Sequence, residues 1–262
     1  VDRTNSVVWT VLRQEIDRAG RPLDIVDVGG GTGGYAVPLA RAGHRVTVVD
    51  ASPDALAALT RRVAEDSGLV SSPGRLTAGS APLRPLATPA DAVTSGRIVA
   101  VQGDVDALGE VAPPGSADLV LCHSVLEVVD SPVSAVKSIA ATLRPGGAAS
   151  VLVANLAAAV LARAISGHLD AAHALLTDPT GSSGPADRLR RRYDAPSASA
   201  LLAGAGLTVE QIHGVRVIAD LVPGVVLDSE QEQLRAIETL AATLPPYRDV
   251  ATQLHLLARL RA

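Results

Sequence analysis

Short apolar runs alternate with amphipathic stretches along most of the chain. Residues 24–28, Asp-Ile-Val-Asp-Val, read as a buried strand, and residues 45–49 and 97–101 read as two more. Further apolar runs at 117–122 and 149–154 continue the series, followed by 207–212 with a continuation at 214–219 and a last strand at 253–260. Residues 7–19, 35–42, 132–143 and 197–205 carry helical patterning. Ser52-Pro53-Asp54 starts another helix that runs to about Glu65, with Ser as N-cap and Pro in the first turn. This alternation predicts an α/β fold, a parallel sheet covered by helices on both faces.

Two stretches interrupt the rhythm. Residues 67–96 are rich in Ser, Pro, Ala, Gly and Thr and include Pro73, Pro82, Pro85 and Pro89, so they are expected to form a mobile surface insertion, too short and too polar for a domain. Residues 156–192 read as a helical insert with a Gly/Ser/Pro loop at 178–187, placed to serve as a lid, and residues 1–262 as a single domain. The long apolar run 148–165 is interrupted by Asn155 and Arg163, which makes it a strand entering a helix and not a membrane span.

Composition narrows the classes. Hydrophobic residues reach 47% but aromatics only 2%, with no Phe, so Val, Leu and Ala must fill the core. A formal charge of -4 argues against a strongly basic nucleic-acid binder and leaves room only for a local basic patch. Cys122 is the only cysteine, which excludes an intramolecular disulfide and a multi-cysteine zinc site, and no metal is expected. No charged-then-apolar leader opens the sequence, and the cytoplasm is the expected location.

The candidate chemistry sits at the strand ends. Strand 24–28 runs into the cluster Gly29-Gly30-Gly31-Thr32-Gly33-Gly34, and strand 45–49 ends in Asp50, 17 residues after Gly33. Glycines let the backbone approach a ligand without an intervening Cβ, and a carboxylate closing the second strand can accept from ribose hydroxyls. The dinucleotide fingerprint has the spacing Gly-x-Gly-x-x-Gly. Here Gly29, Gly31 and Gly33 give Gly-x-Gly-x-Gly, preceded by Asp27. An acid at that point suits a cationic ligand better than a pyrophosphate, and S-adenosylmethionine carries an ammonium and a sulfonium but no phosphate. The bland alternative is a structural glycine turn beside a solvated acid.

The pattern Asp-x-Gly-x-Gly-x-Gly resembles the first motif of class I S-adenosylmethionine-dependent methyltransferases. That resemblance implies a Rossmann-like, seven-stranded, mostly parallel sheet whose final strand lies antiparallel between two others. It assigns Asp27, Gly29, Gly30, Gly31 and Gly33 to the methionine moiety, Asp50 to the ribose, Asp104 and Val105 to adenine, and His123 to the neighbourhood of the sulfonium. The run His123-Ser124-Val125-Leu126-Glu127-Val128-Val129, the turn Leu143-Arg144-Pro145-Gly146-Gly147, the run Gly214-Val215-Arg216-Val217, and Pro246-Tyr247 before the strand holding His255 look more specifically like the bacterial tRNA 5-carboxymethoxyuridine methyltransferase family. In that family an N-terminal arginine touches the cofactor; Arg3 stands in its place, one residue further from Trp9 than the family pattern has it.

Those enzymes esterify the carboxylate of a modified wobble uridine, a nucleophile that is already ionised and needs no base. Arg216 is then the candidate clamp on the acceptor carboxylate, with Asn155 and Tyr193 as further pocket residues. The run Arg188, Arg190, Arg191, Arg192 is the candidate tRNA phosphate contact. Against tRNA stand the negative charge, the scarcity of aromatics for base stacking, and Ala154 where the family pattern has an aromatic. The alternatives are a small-molecule O- or N-methyltransferase and, from another class, a non-catalytic S-adenosylmethionine-binding partner subunit.

Overall fold

The computed structural model describes residues 6–65, 93–95, 97–223 and 229–261. Arg3 lies outside the described residues, as does the 67–96 stretch apart from residues 93–95.

Eight strands form one sheet: β1 (Asp24–Val28), β2 (Arg45–Asp50), β3 (Val93–Ser95), β4 (Ile98–Gln102), β5 (Ala117–His123), β6 (Leu143–Ala154), β7 (Leu207–Val215) and β8 (Gln253–Leu260). Their order is β3-β4-β2-β1-β5-β6-β8-β7. Strands β4, β2, β1, β5 and β6 run parallel, and β8 lies antiparallel between β6 and β7, as expected. From β1 the chain first builds outward through β2 and β4, then returns to place β5 on the other side of β1. Open α/β sheets bind ligands in the crevice at such a reversal, here beyond the carboxyl ends of β1 and β5.

Every residue of β1 is buried, which is why its sequence reads as a continuous apolar run broken only by two acids. On one face, Val26, Val28, Val120, Val151 and Leu256 pack under α5 (Pro132–Thr142) and α8 (Ala195–Ala203). On the other, Ile25, Val46, Val48, Leu121 and Leu152 pack under α1 (Ser6–Ala19), α2 (Ala36–Arg41) and α3 (Pro53–Ala64). Side chains fix where three of these helices start. Ser52 accepts from the Ala55 amide, Ser131 from the Ser134 amide, and Asp194 with Ser197 forms a reciprocal capping box. Short α4 (Leu108–Val111) follows β4, and α6 (Leu156–Ile165) and α7 (Leu169–Thr177) follow β6. Among the described residues no helix is long and apolar enough to cross a membrane.

Four features differ from the pattern-based expectation. Strand β3 pairs antiparallel with β4 and adds an eighth strand inside the stretch expected to lack regular structure. Strand β6 begins at Leu143, so the Arg144-Pro145-Gly146-Gly147 turn is absorbed into it around an irregularity opposite Ala117 and Leu119. Strand β7 stops at Val215 and does not continue to Ala219, because Arg216 turns left-handed at φ 61°. The amides of Val217, Ile218 and Ala219 then donate to the buried Glu238 carboxylate, at 2.9, 2.7 and 2.7 Å. Glu238 belongs to α9 (Gln231–Ala241), a helix the pattern did not predict.

Candidate active site

The crevice is built from the ends of β1, β2, β4 and β5. Gly29, Gly31 and Gly33 all adopt positive φ, at 68°, 53° and 79°, a conformation that favours glycine. A Cβ on Gly29 would collide with the Val125 side chain, and one on Gly30 would come to 2.6 Å from Asp27 Oδ2. Asp50 holds the turn in place: its Oδ2 accepts from the Gly31 amide at 2.8 Å and its Oδ1 from the Ser52 amide at 2.8 Å. Each of these oxygens keeps lone-pair capacity for another donor.

Asp27 differs from its neighbour. It is 2% exposed, and its Oδ2 is buried with no hydrogen-bond partner. Burial, reinforced by the nearby Asp50 charge, pushes its carboxyl up to about 7. An unpartnered buried carboxylate oxygen beside glycine backbone is energetically costly in isolation. It fits a cationic group such as an ammonium entering that cradle.

The remaining predicted cofactor residues divide. Asp104 is exposed and caps a 3-10 turn through the Asp106 amide, and Val105 is buried in the core beside Val49 and Leu108, so its side chain faces inward. His123 closes β5, one position beyond the register pair of Val28 and Cys122 and therefore beside Gly29. Its Nε2 lies 2.9 Å from Ser150 Oγ, and its Nδ1 is buried without a partner. Burial pushes the ring down to about 4, so it is neutral at ordinary pH.

The residues proposed for the acceptor are held by the protein itself. Asn155 Nδ2 donates to the Asp249 and Ala251 carbonyls at 2.9 and 2.8 Å, and its Oδ1 accepts from the Ala157 amide as the N-cap of α6. Tyr193 sits beside it through a β-bridge and donates its hydroxyl to the Leu126 carbonyl at 3.1 Å. Arg216 forks onto Asp220, which also accepts from Thr252. Arg216 and Ser124 are non-glycine residues at positive φ, and both stand at the carboxyl edge of the sheet.

The arginine run is similarly committed. Arg190 pairs with Asp130, and Arg191 donates to the carbonyls of Leu126, Val129 and Asp130. Arg192 forms a bidentate pair with Asp187 at 2.6 and 3.0 Å, with side chains 8% and 3% exposed. Arg188 is exposed.

Sequence reasoning assigned no role to three features of this region. Glu127 is buried at 1% exposure; its Oε1 accepts from the Ala154 amide at 2.6 Å, its Oε2 has no partner, and burial raises its pKa. Tyr35 links Trp9 and His123 by ring contacts at 5.0 and 4.7 Å. Ser150, His255 and His213 extend the polar contact from His123 across β6, β8 and β7. For two of them the signal was present: Ser150 and His255 are polar residues inside strands that are otherwise largely apolar, whereas His213 lies on the more polar β7.

A family model described as a methyltransferase domain matches residues 7–212. The tRNA 5-carboxymethoxyuridine methyltransferase of Escherichia coli K12 is 24% identical over 256 residues, covering 97% of this chain and 87% of that protein. Among solved structures, an S-adenosylmethionine dependent methyltransferase from Mesorhizobium loti superposes with a TM-score of 0.57 at 17% identity, covering 96% of each chain. The Burkholderia thailandensis 1,6-didemethyltoxoflavin-N1-methyltransferase, solved with 1,6-didemethyltoxoflavin and S-adenosylhomocysteine bound, superposes with a TM-score of 0.53 at 19% identity, covering 98% of this chain and 79% of that one.

Proposed function

Because the chain belongs to the methyltransferase-domain family and is an S-adenosylmethionine-dependent methyltransferase with the Rossmann-like class I fold, we propose that its acceptor is a small molecule bearing an O–H or N–H group. The observation that carries this reading is the commitment of the cationic side chains. Arg216, Arg190, Arg191 and Arg192 are all engaged with carboxylates or carbonyls of their own chain. A carboxylate clamp or a phosphate-binding surface would require those bonds to be exchanged.

When bound, S-adenosylmethionine supplies an electrophilic methyl group on a sulfonium. Asp27 would face its ammonium, the backbone of Gly29, Gly30, Gly31 and Gly33 would lie along its methionine portion, and Asp50 would accept from its ribose hydroxyls. Asp104, at the end of β4, would serve the adenine edge. The pair α6 and α7 would act as the lid over the acceptor. Alignment of acceptor and methyl carbon supplies much of the rate in such a transfer.

A second reading has its own support. The E. coli tRNA-modifying relative aligns over 97% of this chain, which favours a carboxylate on a modified wobble uridine. In that case Arg216 would leave Asp220 for the substrate, and Arg188 would supply the first phosphate contact.

Labelled S-adenosylmethionine offered to bulk tRNA, from cells lacking this gene, and to a small-metabolite extract separates the two readings. Label in the metabolite pool, stable to mild alkali, supports the proposal. Label in tRNA that is lost on mild alkaline hydrolysis replaces it with the carboxyl-methylation reading.

A further inference from the structure

Four side chains form a continuous polar chain on one face of the sheet. His123 Nε2 lies 2.9 Å from Ser150 Oγ, Ser150 Oγ lies 2.8 Å from His255 Nε2, and His255 Nδ1 lies 3.5 Å from His213 Nδ1. The chain crosses from β5 through β6 and β8 to β7, the strand at the edge of the sheet. Ser150 and His255 are fully buried, each at 0% exposure, while His213 is only partly buried. A hydroxyl and an imidazole at the centre of an otherwise aliphatic face need a reason, because apolar residues there would avoid desolvating polar atoms.

Among the ring nitrogens of these three histidines, only Nδ1 of His123, at the inner end, is both buried and unpartnered. At that end the Tyr35 ring meets His123 at 73°, and at the outer end Arg248 is the charge that acts on His213. We propose that His123 accepts the acceptor's proton during methyl transfer, and that Ser150, His255 and His213 relay a proton across the sheet to the solvent edge. The proposal rests on the O–H or N–H acceptor reading, since a carboxylate acceptor has no proton to give.

The step balances. The acceptor's lone pair forms the new bond to the methyl carbon, the pair of the breaking C–S bond stays on sulfur, and the acceptor proton moves to His123 Nδ1. His123 passes its Nε2 proton to Ser150 Oγ, Ser150 passes its hydroxyl proton to His255 Nε2, and His255 passes its Nδ1 proton to His213 Nδ1. His213 releases its Nε2 proton to water. Every member ends neutral. This matters because burial holds His123 down to about 4, and a lone buried imidazole would be a weak base that leaves a charge in the core. His255, also held well down by burial, is likewise never required to carry a net charge.

The proposal fixes a set of tautomers that can be read without any acceptor. In protein labelled with 15N-histidine and saturated with S-adenosylhomocysteine, the expected set is His123 protonated at Nε2, His255 at Nδ1 and His213 at Nε2. His123 protonated at Nδ1 would overturn the proposal, because its inner nitrogen would then have no lone pair to offer. Turnover gives the second readout, with label transfer to the metabolite pool as the probe. Ser150→Ala should lower turnover at least tenfold while S-adenosylhomocysteine affinity stays within twofold, and Ser150→Thr should restore most of it. His213→Ala should be rescued by added imidazole, which a purely structural role would not produce. Unchanged turnover in Ser150→Ala would also overturn the relay. If only tRNA is labelled, in an alkali-labile ester, the acceptor reading fails and the relay falls with it; the wrong tautomers, or unchanged turnover in Ser150→Ala, with label in the metabolite pool overturn the relay alone.

Discussion

Two acids three residues apart on β1 show how the two ends of this sheet differ. At the amino end, Asp24 accepts from Arg45 at 2.5 Å and from Arg144 at 2.8 Å. Asp118 beside it accepts from Arg21, Arg144 and the Asp24 amide. These contacts outweigh the desolvation and hold Asp118 down to about 2. At the carboxyl end, Asp27 is more deeply buried and has an oxygen with no partner, so burial dominates and pushes it up to about 7. His123 Nδ1 and Glu127 Oε2 share that condition. The separation has one exception at the amino end, His44 Nε2, whose ring otherwise accepts from the Leu23 amide. The amino end resembles a finished structural network, while the carboxyl end keeps polar atoms that a ligand would complete.

The comparison would break most visibly at Asp118. Asp118→Ala should destabilise the protein by about 3 kcal/mol, because it strands Arg144 and the Asp24 amide, with the loss moderated by the solvent around Arg21. Chemical denaturation measures it, and S-adenosylhomocysteine affinity should not change.

Asp27→Asn should do the reverse. Between the unfolded value of 3.8 and about 7, native Asp27 holds a proton that the unfolded chain has lost, so its contribution to stability falls as pH rises through that window. Removing the charge should stabilise the ligand-free protein by about 2 kcal/mol near pH 8. His123 has the opposite slope: its native value of about 4 lies below the unfolded 6.5, so stability is lost as pH falls from 6.5 toward 4. In Asp27→Asn the opposing contribution of Asp27 is gone, and denaturation midpoints should rise from about pH 4 to 6.5 more steeply than in the parent.

Asp50→Ala should weaken S-adenosylhomocysteine binding by about 1.5 kcal/mol through lost hydrogen bonds to the ribose. Calorimetry checks this, and unchanged affinity would remove Asp50 from the site. The smallest effect is expected at Arg188→Ala, within about 0.5 kcal/mol of the parent in thermal unfolding, as for an exposed side chain.

Local signals foretold part of this structure. The βαβ unit, the glycine turn, Asp50 and the Ser52 cap follow from neighbours in sequence, so their pattern predicted them. Strand β3 was not readable, because a three-residue edge strand is defined by the partner it pairs with. The end of β7 depends on Arg216 turning left-handed and on Glu238 reaching back about 20 residues. Helix α9 was hidden because Glu238 points into the protein from what its charge marks as a solvent position. The arginine run looked like a solvated charge cluster. Its role depends on carbonyls of 126–130, which become neighbours only after folding, and on Asp187, five residues before Arg192. The candidate residues could be named from the sequence, but the distinction between satisfied Asn155 and unsatisfied Asp27 required three dimensions.

The most direct test of the account is calorimetric titration of S-adenosylhomocysteine into the parent and Asp27→Asn proteins, each in two buffers of different ionisation enthalpy at about pH 6.5. The parent should bind with release of a proton from the Asp27 region, and Asp27→Asn should bind at least tenfold more weakly with that release abolished. Equal affinity and equal proton release in both proteins would contradict the assignment of the unsatisfied carboxyl end to the cofactor.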